Sequence, residues 1–309
     1  MGTVQFLKIR NSESASLDAV GNYPIGDFTQ SIIGAVKNGR RISSFFGVPE
    51  GEGLRLYIAL ANDKESVIEI ASTFVKDSFP SLTVHIPSAH LFEREIYEQF
   101  GVLPEGHPWL KPVRFQNKIY DLKRHTLVNN PVECGEMNYF SVDGDEIHEV
   151  AVGPVHAGII EPGHFRFQCF GELVLNLEIS LGYQHRGIEW RLKGKPNSRT
   201  VQYMETVAGD TSIGHTLAYA QAIESLSNIN GCSKTQTLRA IALELERLAN
   251  HTGDLGALAN DVGYLPTASY CGRLRGDFLN MTALLCGSRF GRGFIRPGGL
   301  MFDVSPDKV

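Results

Sequence analysis

The sequence predicts an α+β protein whose N-terminal half mixes strands and helices and whose C-terminal half is mainly helical. Alternating apolar residues at 54–60 and 82–86 indicate strands, and the stretch 66–75 has the spacing of a helix. From Asp210 onward, apolar residues recur at helical spacing. At 309 residues, 42% of them hydrophobic, the chain can bury one large core or two modest ones, and we expect two domains.

The predicted boundary between the domains lies before the middle of the chain. The stretch 128–135 is rich in turn-forming residues, including a proline and a glycine that interrupt regular structure. We therefore expect an N-terminal α/β domain at 1–125, a linker at 126–148 and a second domain at 149–309.

The second domain is expected to open with extended segments and to continue as helices. The stretches 147–155 and 165–181 have the residue pattern of strands. Asp210 or Ser212 is a candidate N-cap of the first long helix, because short polar side chains accept hydrogen bonds from free N–H groups there. The other predicted features are a helix stop at Gly231, an N-cap at Ser233, and a stripe formed by Leu238, Ile241, Leu245 and Leu248.

Composition and charge exclude several classes of protein. The net charge of -5 comes with no run rich in Lys or Arg, so no nucleic-acid partner is expected. The five cysteines are widely spaced and form no Cys-x-x-Cys pair, so we expect neither a disulfide framework nor a zinc site. The sequence has neither the apolar core of a signal peptide nor a run of about eighteen apolar residues, so we expect no membrane crossing and no export by that route.

One specific motif marks the N-terminal domain. Residues 92–102 predict a helix with an apolar stripe and with Gly101 as its C-terminal stop, followed by a Pro/Gly loop. An ordinary amphipathic helix with solvated Glu and Arg side chains is the plain interpretation. The full string 92–110, however, resembles the signature of 30 kDa-type subunits of respiratory complex I. That resemblance covers about residues 60–115 and implies a docking domain without a cofactor of its own.

Four motifs of the second domain lie at 153–165, 181–189, 243–256 and 289–299. In this order they resemble the 49 kDa-type subunit of complex I and, more closely, the large subunit of membrane-bound energy-converting (formate hydrogenlyase type) [NiFe]-hydrogenases. Fusion with a 30 kDa-type domain is itself a feature of that hydrogenase group. The resemblance implies a small β-hairpin or sheet region leading into a helical bundle. Because the second Cys-x-x-Cys of the family lies beyond the last motif, we expect the chain to be a fragment of a longer subunit.

The same resemblance identifies where metal ligands are missing. Hydrogenase large subunits carry Arg-x-Cys-Gly-x-Cys-x-x-x-His in the segment that corresponds to 205–215. Gly209 and His215 are kept here, whereas the two cysteine positions hold Ala208 and Thr211. A methyl group cannot ligate a metal, and a neutral hydroxyl is a poor replacement for a thiolate. We therefore expect no nickel–iron centre, and no metal or other cofactor bound by this chain.

Glu161 is the candidate catalytic residue. It matches a carboxylate that energy-converting hydrogenases place beside the metal for proton transfer, and a carboxyl group in a cavity can relay protons. A structural, hydrogen-bonding role is the open alternative. His156 and His164 lie on the same Gly/Pro-rich hairpin and are candidate cavity residues; for both, a satisfied surface histidine is the alternative.

His185 and Arg186 lie in a Gly-rich turn after a predicted strand. By resemblance this turn faces the iron–sulfur cluster of a partner small subunit, where a guanidinium stabilises the negative charge of the reduced cluster. An exposed basic pair is the alternative. Asp210 and His215 are further cavity candidates, with His215 expected mainly as a buried hydrogen-bonding residue. Glu244, Arg247 and His251, spaced three and four apart, are expected to form a charged stripe along one helix face.

The resemblance implies a subunit of a membrane-associated, complex I-like oxidoreductase, active only within its complex. With an iron–sulfur small subunit that holds a [4Fe-4S] cluster, the chain is expected to form a redox cavity that passes electrons to a quinone or another acceptor. Quinone reduction is disfavoured because Gly209 occupies the position of the head-group tyrosine of complex I. The alternative is a non-catalytic scaffold that couples the redox state of the cluster to ion-translocating membrane subunits. Both functions imply peripheral attachment on the cytoplasmic side of the cell membrane.

Overall fold

The computed structural model describes residues 4–155, 161–229 and 231–305. Helices and strands are both well represented in it, and long helices are concentrated after Thr211. The predicted α+β class is therefore confirmed.

The chain divides into two compact units, each described by itself. Unit 1 contains the residues up to His185 except 12–14, and unit 2 contains 12–14 and the residues from Arg186 onward. This division by contacts falls later in the chain than the expected linker at 126–148. The domain limits proposed from the sequence stay a prediction, because they describe related families rather than contacts.

Unit 1 is built around a four-stranded antiparallel sheet in the order β1-β4-β3-β2. Its strands are β1 (Leu7–Ile9), β2 (Arg41–Glu50), β3 (Gly53–Asn62) and β4 (Val67–Val75). Helices α1 (Ile25–Lys37) and α2 (His90–Phe100) pack against this sheet. The core between them includes the buried side chains of Phe28, Ile32, Leu56, Ile58 and Ile96. Two small ribbons follow, formed by β5 (Ser78–Pro80) with β6 (Leu103–Glu105) and by β7 (Lys118–Asp121) with β8 (Thr126–Asn129).

Two predictions for unit 1 are wrong. The stretch 66–75 forms strand β4 and not a helix, because it pairs with β3 along its whole length and its β-branched residues suit a strand. The stretch 82–86 is a turn and not a strand. Its first backbone N–H groups, those of Leu82 and Thr83, donate to the buried carboxylate of Glu93 instead of to a neighbouring strand.

Other predictions for this unit are confirmed. The stretch 54–60 lies within β3, and helix α2 ends at Phe100. Gly101 follows with a φ of 70°, and its N–H donates to the carbonyl of Tyr97 at 2.8 Å. Glycine adopts this left-handed conformation without strain, which is why the helix ends there.

A second, three-stranded antiparallel sheet of unit 1 has the order β11-β10-β9. It consists of β9 (Ile147–Val155), β10 (Gly163–Phe170) and β11 (Leu173–Ser180). The extended segments predicted at 147–155 and 165–181 are thus confirmed. The two flanking strands both pair with β10, and Val155 and Gly163 lie opposite each other at one end of this sheet.

Unit 2 is mainly helical. Its elements are α3 (Ile188–Arg191), α4 (Thr200–Met204), α5 (Ser212–Leu226), α6 (Ser233–Asp261), α7 (Leu265–Cys286), β12 (Ile295–Arg296) and β13 (Gly299–Leu300). Helices α6 and α7 form a hairpin, and they approach closely at Gly256, where an added Cβ atom would lie 2.9 Å from the Cβ of Cys271. Of the predicted stripe on α6, Leu238 is buried in the core and Leu248 is exposed.

The predicted ends of α5 are wrong. The residue at the N-cap position is Thr211, and neither Asp210 nor Ser212 caps the helix with its side chain. The helix ends at Leu226, earlier than the predicted stop at Gly231. For α6, the N-cap position is held by the preceding cysteine and Ser233 is the first helical residue, a shift of one position.

A buried ion pair holds the β12–β13 hairpin, which contains part of the 289–299 motif. Arg239 on α6 donates to both carboxylate oxygens of Glu224 on α5, at 2.7 and 3.0 Å. The same guanidinium donates to the carbonyls of Arg296 and Gly299, and the N–H of Gly298 donates to Glu224 at 2.7 Å. Each charge is therefore paired and hydrogen-bonded, as burial requires.

Candidate functional site

The segment 205–211 connects α4 to α5 in unit 2 and contains the two positions where a thiolate is expected but absent. Its start is held by Glu205, a buried residue whose Oε1 accepts the N–H of Gly293 at 2.6 Å. The carbonyl of Glu205 accepts the hydroxyl of Ser212 at 3.2 Å. The beginning of the segment is thereby attached to the loop after α7 and to the first residue of α5.

Arg186 holds the middle of this segment. Its guanidinium donates to the carbonyl of Thr206 and, at 3.3 Å, to the carbonyl of Val207. The side chain remains exposed. The structure therefore places Arg186 beside the 205–211 segment, with part of its guanidinium bound to main-chain carbonyls.

Glu246 on α6 holds the end of the segment and the start of α5. Its two carboxylate oxygens accept the N–H groups of Ile213 and Gly214 at 2.7 and 2.9 Å. These are among the free N–H groups that every helix leaves at its N-terminus, and here a side chain 33 positions away binds them. Burial raises the pKa of the Glu246 carboxyl, the two N–H groups oppose that rise, and the nearby charge of Asp210 adds to it.

Asp210 lies close to the Glu246 carboxylate. Its carbonyl accepts the side-chain amide of Asn250 at 2.9 Å, and its carboxylate lies 3.5 Å from the guanidinium of Arg275. A small cavity of mixed character adjoins it, lined by Asp210, Ile213, Glu246, Ala249, Asn250, Leu279, Thr282, Arg289 and Phe290. Polar and charged side chains therefore converge on the segment that resembles the metal-binding segment of hydrogenases.

The donor set at this segment does not fit a nickel–iron centre. Ala208 offers a methyl group and Thr211 a neutral hydroxyl, neither of which replaces a thiolate. Burial lowers the pKa of His215, which disfavours its charged form. Within 4–155, 161–229 and 231–305, no group of three or more His, Cys, Asp or Glu side chains is arranged to hold a metal ion.

His164 on β10 is tied into a hydrogen-bonded network. Its Nδ1 lies 3.2 Å from the carbonyl of Gly153, and its Nε2 accepts the Nε–H of Arg166 at 3.1 Å. The ring also packs against Tyr139, with ring centroids 5.4 Å apart. This pattern requires the proton on Nδ1, so His164 is a buried structural residue at the base of the hairpin. The open alternative of a surface histidine is wrong, because the side chain is buried.

The remaining predicted site residues are less constrained by the structure. His156 lies outside the described residues. Glu161 is exposed and lies two residues before the start of β10. His185 is exposed, and its backbone N–H donates to the carbonyl of Gly182 at 3.1 Å. Because the hairpin belongs to unit 1 and the 205–211 segment to unit 2, their roles in one cavity stay a prediction.

Two charged residues of helix α2, Glu93 and Arg94, bind groups in the interior of unit 1. Glu93 is fully buried, and Arg94 donates to the carbonyls of Lys111 and Pro112 at 2.6 and 2.7 Å. The guanidinium of Arg94 also lies 4.6 Å from the ring centroid of Trp109. The plain interpretation of a helix with solvated Glu and Arg is therefore wrong for these residues. The motif holds the loop that follows the helix.

The comparisons with known proteins agree with these features. Residues 30–127 match the family described as respiratory-chain NADH dehydrogenase, 30 Kd subunit. Hydrogenase-4 component G of Escherichia coli is 30% identical over 236 residues, which cover 73% of this chain and 42% of that protein. The chain is a homologue of complex I- and hydrogenase-type fused subunits. Formate hydrogenlyase subunit 5 of the same organism is 28% identical, over 88% of this chain and 51% of that protein. The C/D subunit of the NADH-quinone oxidoreductase of Bdellovibrio bacteriovorus is 26% identical, over 70% of this chain and 41% of that protein.

This homologue spans about half the length of the curated relatives it matches. A chain from the membrane-bound sulfane sulfur reductase (MBS), an archaeal respiratory membrane complex, has the same fold over 55% of this chain and 45% of its own, with a TM-score of 0.50 and 20% identity. Within the part of the chain that the structure describes, no helix is long and apolar enough to cross a membrane. The expected relationship to these subunits is confirmed.

The sequence analysis missed the role of Glu246. Glu246 lies within the 243–256 motif, between Glu244 and Arg247. Those two exposed residues are paired along the helix surface, as the predicted charged stripe requires. The signal available in the sequence was a carboxylate on the buried side of an otherwise apolar helix face, next to Ala249. Its partners are backbone groups 33 residues away, which no local pattern indicates.

Proposed function

We propose that the chain is a subunit of a membrane-associated, complex I-like oxidoreductase and that, with an iron–sulfur small subunit, it forms a cavity passing electrons to an acceptor other than protons. The observation that carries the proposal is the 205–211 segment. It keeps a defined conformation through Arg186, Glu205 and Glu246 although it lacks thiolate ligands. These contacts hold the segment without any metal ligand.

The proposed chemistry divides between two partners. A [4Fe-4S] cluster of the small subunit supplies electrons one at a time when it is bound nearby. The residues of this chain orient the acceptor, exclude water and deliver protons, with Glu161 proposed as the proton donor. The proposed location is the cytoplasmic face of the membrane, reached through ion-translocating subunits of the same complex.

Purification of the whole complex through a tag on this chain tests the proposal. We expect an iron–sulfur subunit to co-purify, no stoichiometric nickel, no hydrogen evolution, and reduction of a quinone, a disulfide or polysulfide by the chemically reduced complex. A sulfur compound is the first acceptor to try, because the fold neighbour belongs to a sulfane sulfur reductase. About one nickel per chain, the level of an occupied metal site, or a chain that purifies as a free monomer contradicts the proposal.

Glu161→Gln sharpens the same test. The substitution keeps the size and hydrogen-bonding capacity of the side chain but removes its titrating group, so turnover of the complex is expected to fall by on the order of 10²- to 10⁴-fold. Glu52, exposed in the turn between β2 and β3 of the same unit, provides a matched control through Glu52→Gln. Equal turnover of the two variants contradicts the relay and favours a scaffold that couples cluster redox state to membrane subunits.

A further inference from the structure

On β10 and β11, the polar face of the β9–β10–β11 sheet is largely buried, whereas Glu149 on β9 stays exposed. Rows of side chains opposite one another on this face include Glu178 with Arg166, and Gln168 with Glu149. Glu178 and Gln168 are buried, and the carboxylate of Glu178 is bound by the ammonium group of Lys111. The sheet is thus attached to the rest of unit 1 by ion pairs and hydrogen bonds.

The opposite face of the same sheet is apolar and exposed. Two rows cross it, formed by Leu177, Phe167 and Val150 and by Ile179, Phe165 and Val152. Along β11, the side chains on this face keep 42% to 62% of their surface exposed, from Leu173 at one end to Ile179 at the other. A half-buried sheet normally buries its apolar face and hydrates its polar face. The reversal indicates that another surface covers the apolar side.

The size of this face is that of a functional patch. Three strands spaced about 4.8 Å apart and eight residues of about 3.3 Å give a footprint on the order of 400 Å². Exposed apolar patches of roughly 300–600 Å² on monomers are often functional. A specific protein interface buries about 800 Å² on each partner. The sheet alone therefore supplies about half of such an interface, and its surroundings must supply the rest.

Those surroundings are acidic at one end of the sheet. Asp143, Asp145 and Glu146 precede β9, and Glu172 lies in the turn between β10 and β11; all four are exposed. Because Ile147 pairs with Phe170, which in turn pairs with Leu173, both acidic groups border the same end of the apolar face. An apolar centre with a charged border has the composition of a protein interface.

We propose that this apolar face docks a protein subunit that presents an apolar patch bordered by lysine or arginine side chains. The acidic border disfavours an anionic lipid surface, which would be repelled. A second copy of the chain fits poorly, because the described residues at the opposite end of the sheet, 153–155, 161–164 and 180–184, include no Lys or Arg to meet the acidic end. The inference rests on the proposed membership of a multisubunit complex.

Hydrogen–deuterium exchange of the tagged, purified complex and of the full chain alone tests this docking surface. We expect the amides of β11, an edge strand, to exchange at least about tenfold more slowly in the complex, with no change for those of β3 at the centre of the other sheet. A complex whose β11 amides exchange as in the free chain overturns the docking surface while leaving the proposed function standing. Failure to recover any complex overturns both.

A double variant, Leu177→Gln with Ile179→Gln, identifies the face directly. We expect at least tenfold lower recovery of the complex with an unchanged circular dichroism spectrum, because both side chains are already exposed. Leu17→Gln, at a leucine of unit 1 that is even more exposed, is the control and should leave recovery unchanged. Charge reversal by Asp145→Lys should weaken assembly in a salt-dependent way. A homodimer in light scattering, or protection of β11 by phosphatidylcholine–phosphatidylserine vesicles alone, overturns the proposal.

Discussion

Both units of the chain use a carboxylate to hold backbone N–H groups that are distant in sequence, fully buried in unit 1 and half-buried in unit 2, and the two carboxylates accept different numbers of donors. In unit 1, Glu93 accepts the hydroxyls of Ser81 and Thr83 and the N–H groups of Leu82 and Thr83. In unit 2, Glu246 accepts only two N–H groups and lies near a second carboxylate. Glu93 is thus held by four donors, whereas burial raises the pKa of the Glu246 carboxyl and only two N–H groups oppose that rise.

Glu93→Leu should produce the largest effect and tests the structural half of this comparison. The substitution puts an apolar side chain of similar size in place of the carboxylate. The N–H of Leu82 and the hydroxyls of Ser81 and Thr83 then lose their acceptor, and each such loss costs about 1–3 kcal/mol. The N–H of Thr83 keeps the hydroxyl oxygen of Ser81 as an acceptor at 3.2 Å. We expect the free energy of unfolding of unit 1 to fall by about 3–5 kcal/mol. In a Trp190→Phe background, the fluorescence of Trp109 reports urea unfolding of this unit alone.

The matched control for that variant is Glu50→Leu. Glu50 is an exposed carboxylate of β2 paired with Arg55, so the same chemical change should alter stability by less than about 1 kcal/mol. Equal losses for the two variants contradict the assignment of Glu93 as the group that holds the 81–83 turn.

The contrast also explains what the sequence predicted correctly and where it failed. Alternation at 54–60 and the glycine after α2 are local signals, and local signals found β3 and the helix end. The misassigned turn at 82–86 depends on Glu93, eleven residues further along the chain. The start of α5 depends on Glu246, still further away. Carboxylates that bind distant backbone replace the local caps that sequence patterns describe.

Glu246→Gln tests the titrating half of the comparison. Because its pKa is raised above the ordinary 4.5, the folded state binds the proton more tightly than the unfolded chain. That contribution to stability is complete below pH 4.5 and is lost as pH rises through the raised pKa. The difference in free energy of unfolding between wild type and variant should therefore fall across this window, by at most about 1.4 kcal/mol per pH unit, and be constant above it.

Measuring that difference at matched pH values by urea unfolding removes the opposite trend of paired carboxylates such as Glu224, whose pKa is lowered mainly by its hydrogen bond to Arg239. Glu244→Gln is the matched control on the same helix. Its carboxyl pKa is lowered by the hydrogen bond from Arg247, so its difference curve should slope the other way. A wild-type curve parallel to that of Glu246→Gln at every pH contradicts a raised pKa.

Asp210→Asn should have the smallest effect and separates the causes acting on Glu246. Removing the Asp210 charge takes away one of the two influences that raise the pKa of Glu246, and burial, the larger one, remains. The pH range over which stability falls should therefore become narrower without disappearing. The substitution leaves the main-chain carbonyl of residue 210 free to accept the side-chain amide of Asn250 as before. Carbon-13 NMR of the Glu246 carboxyl, compared with wild type, reads this shift directly. If Asp210→Asn returned the pKa of Glu246 to its ordinary value, the charge of Asp210, and not burial, would be the cause of the raised pKa. That charge would then make the end of the 205–211 segment sensitive to pH.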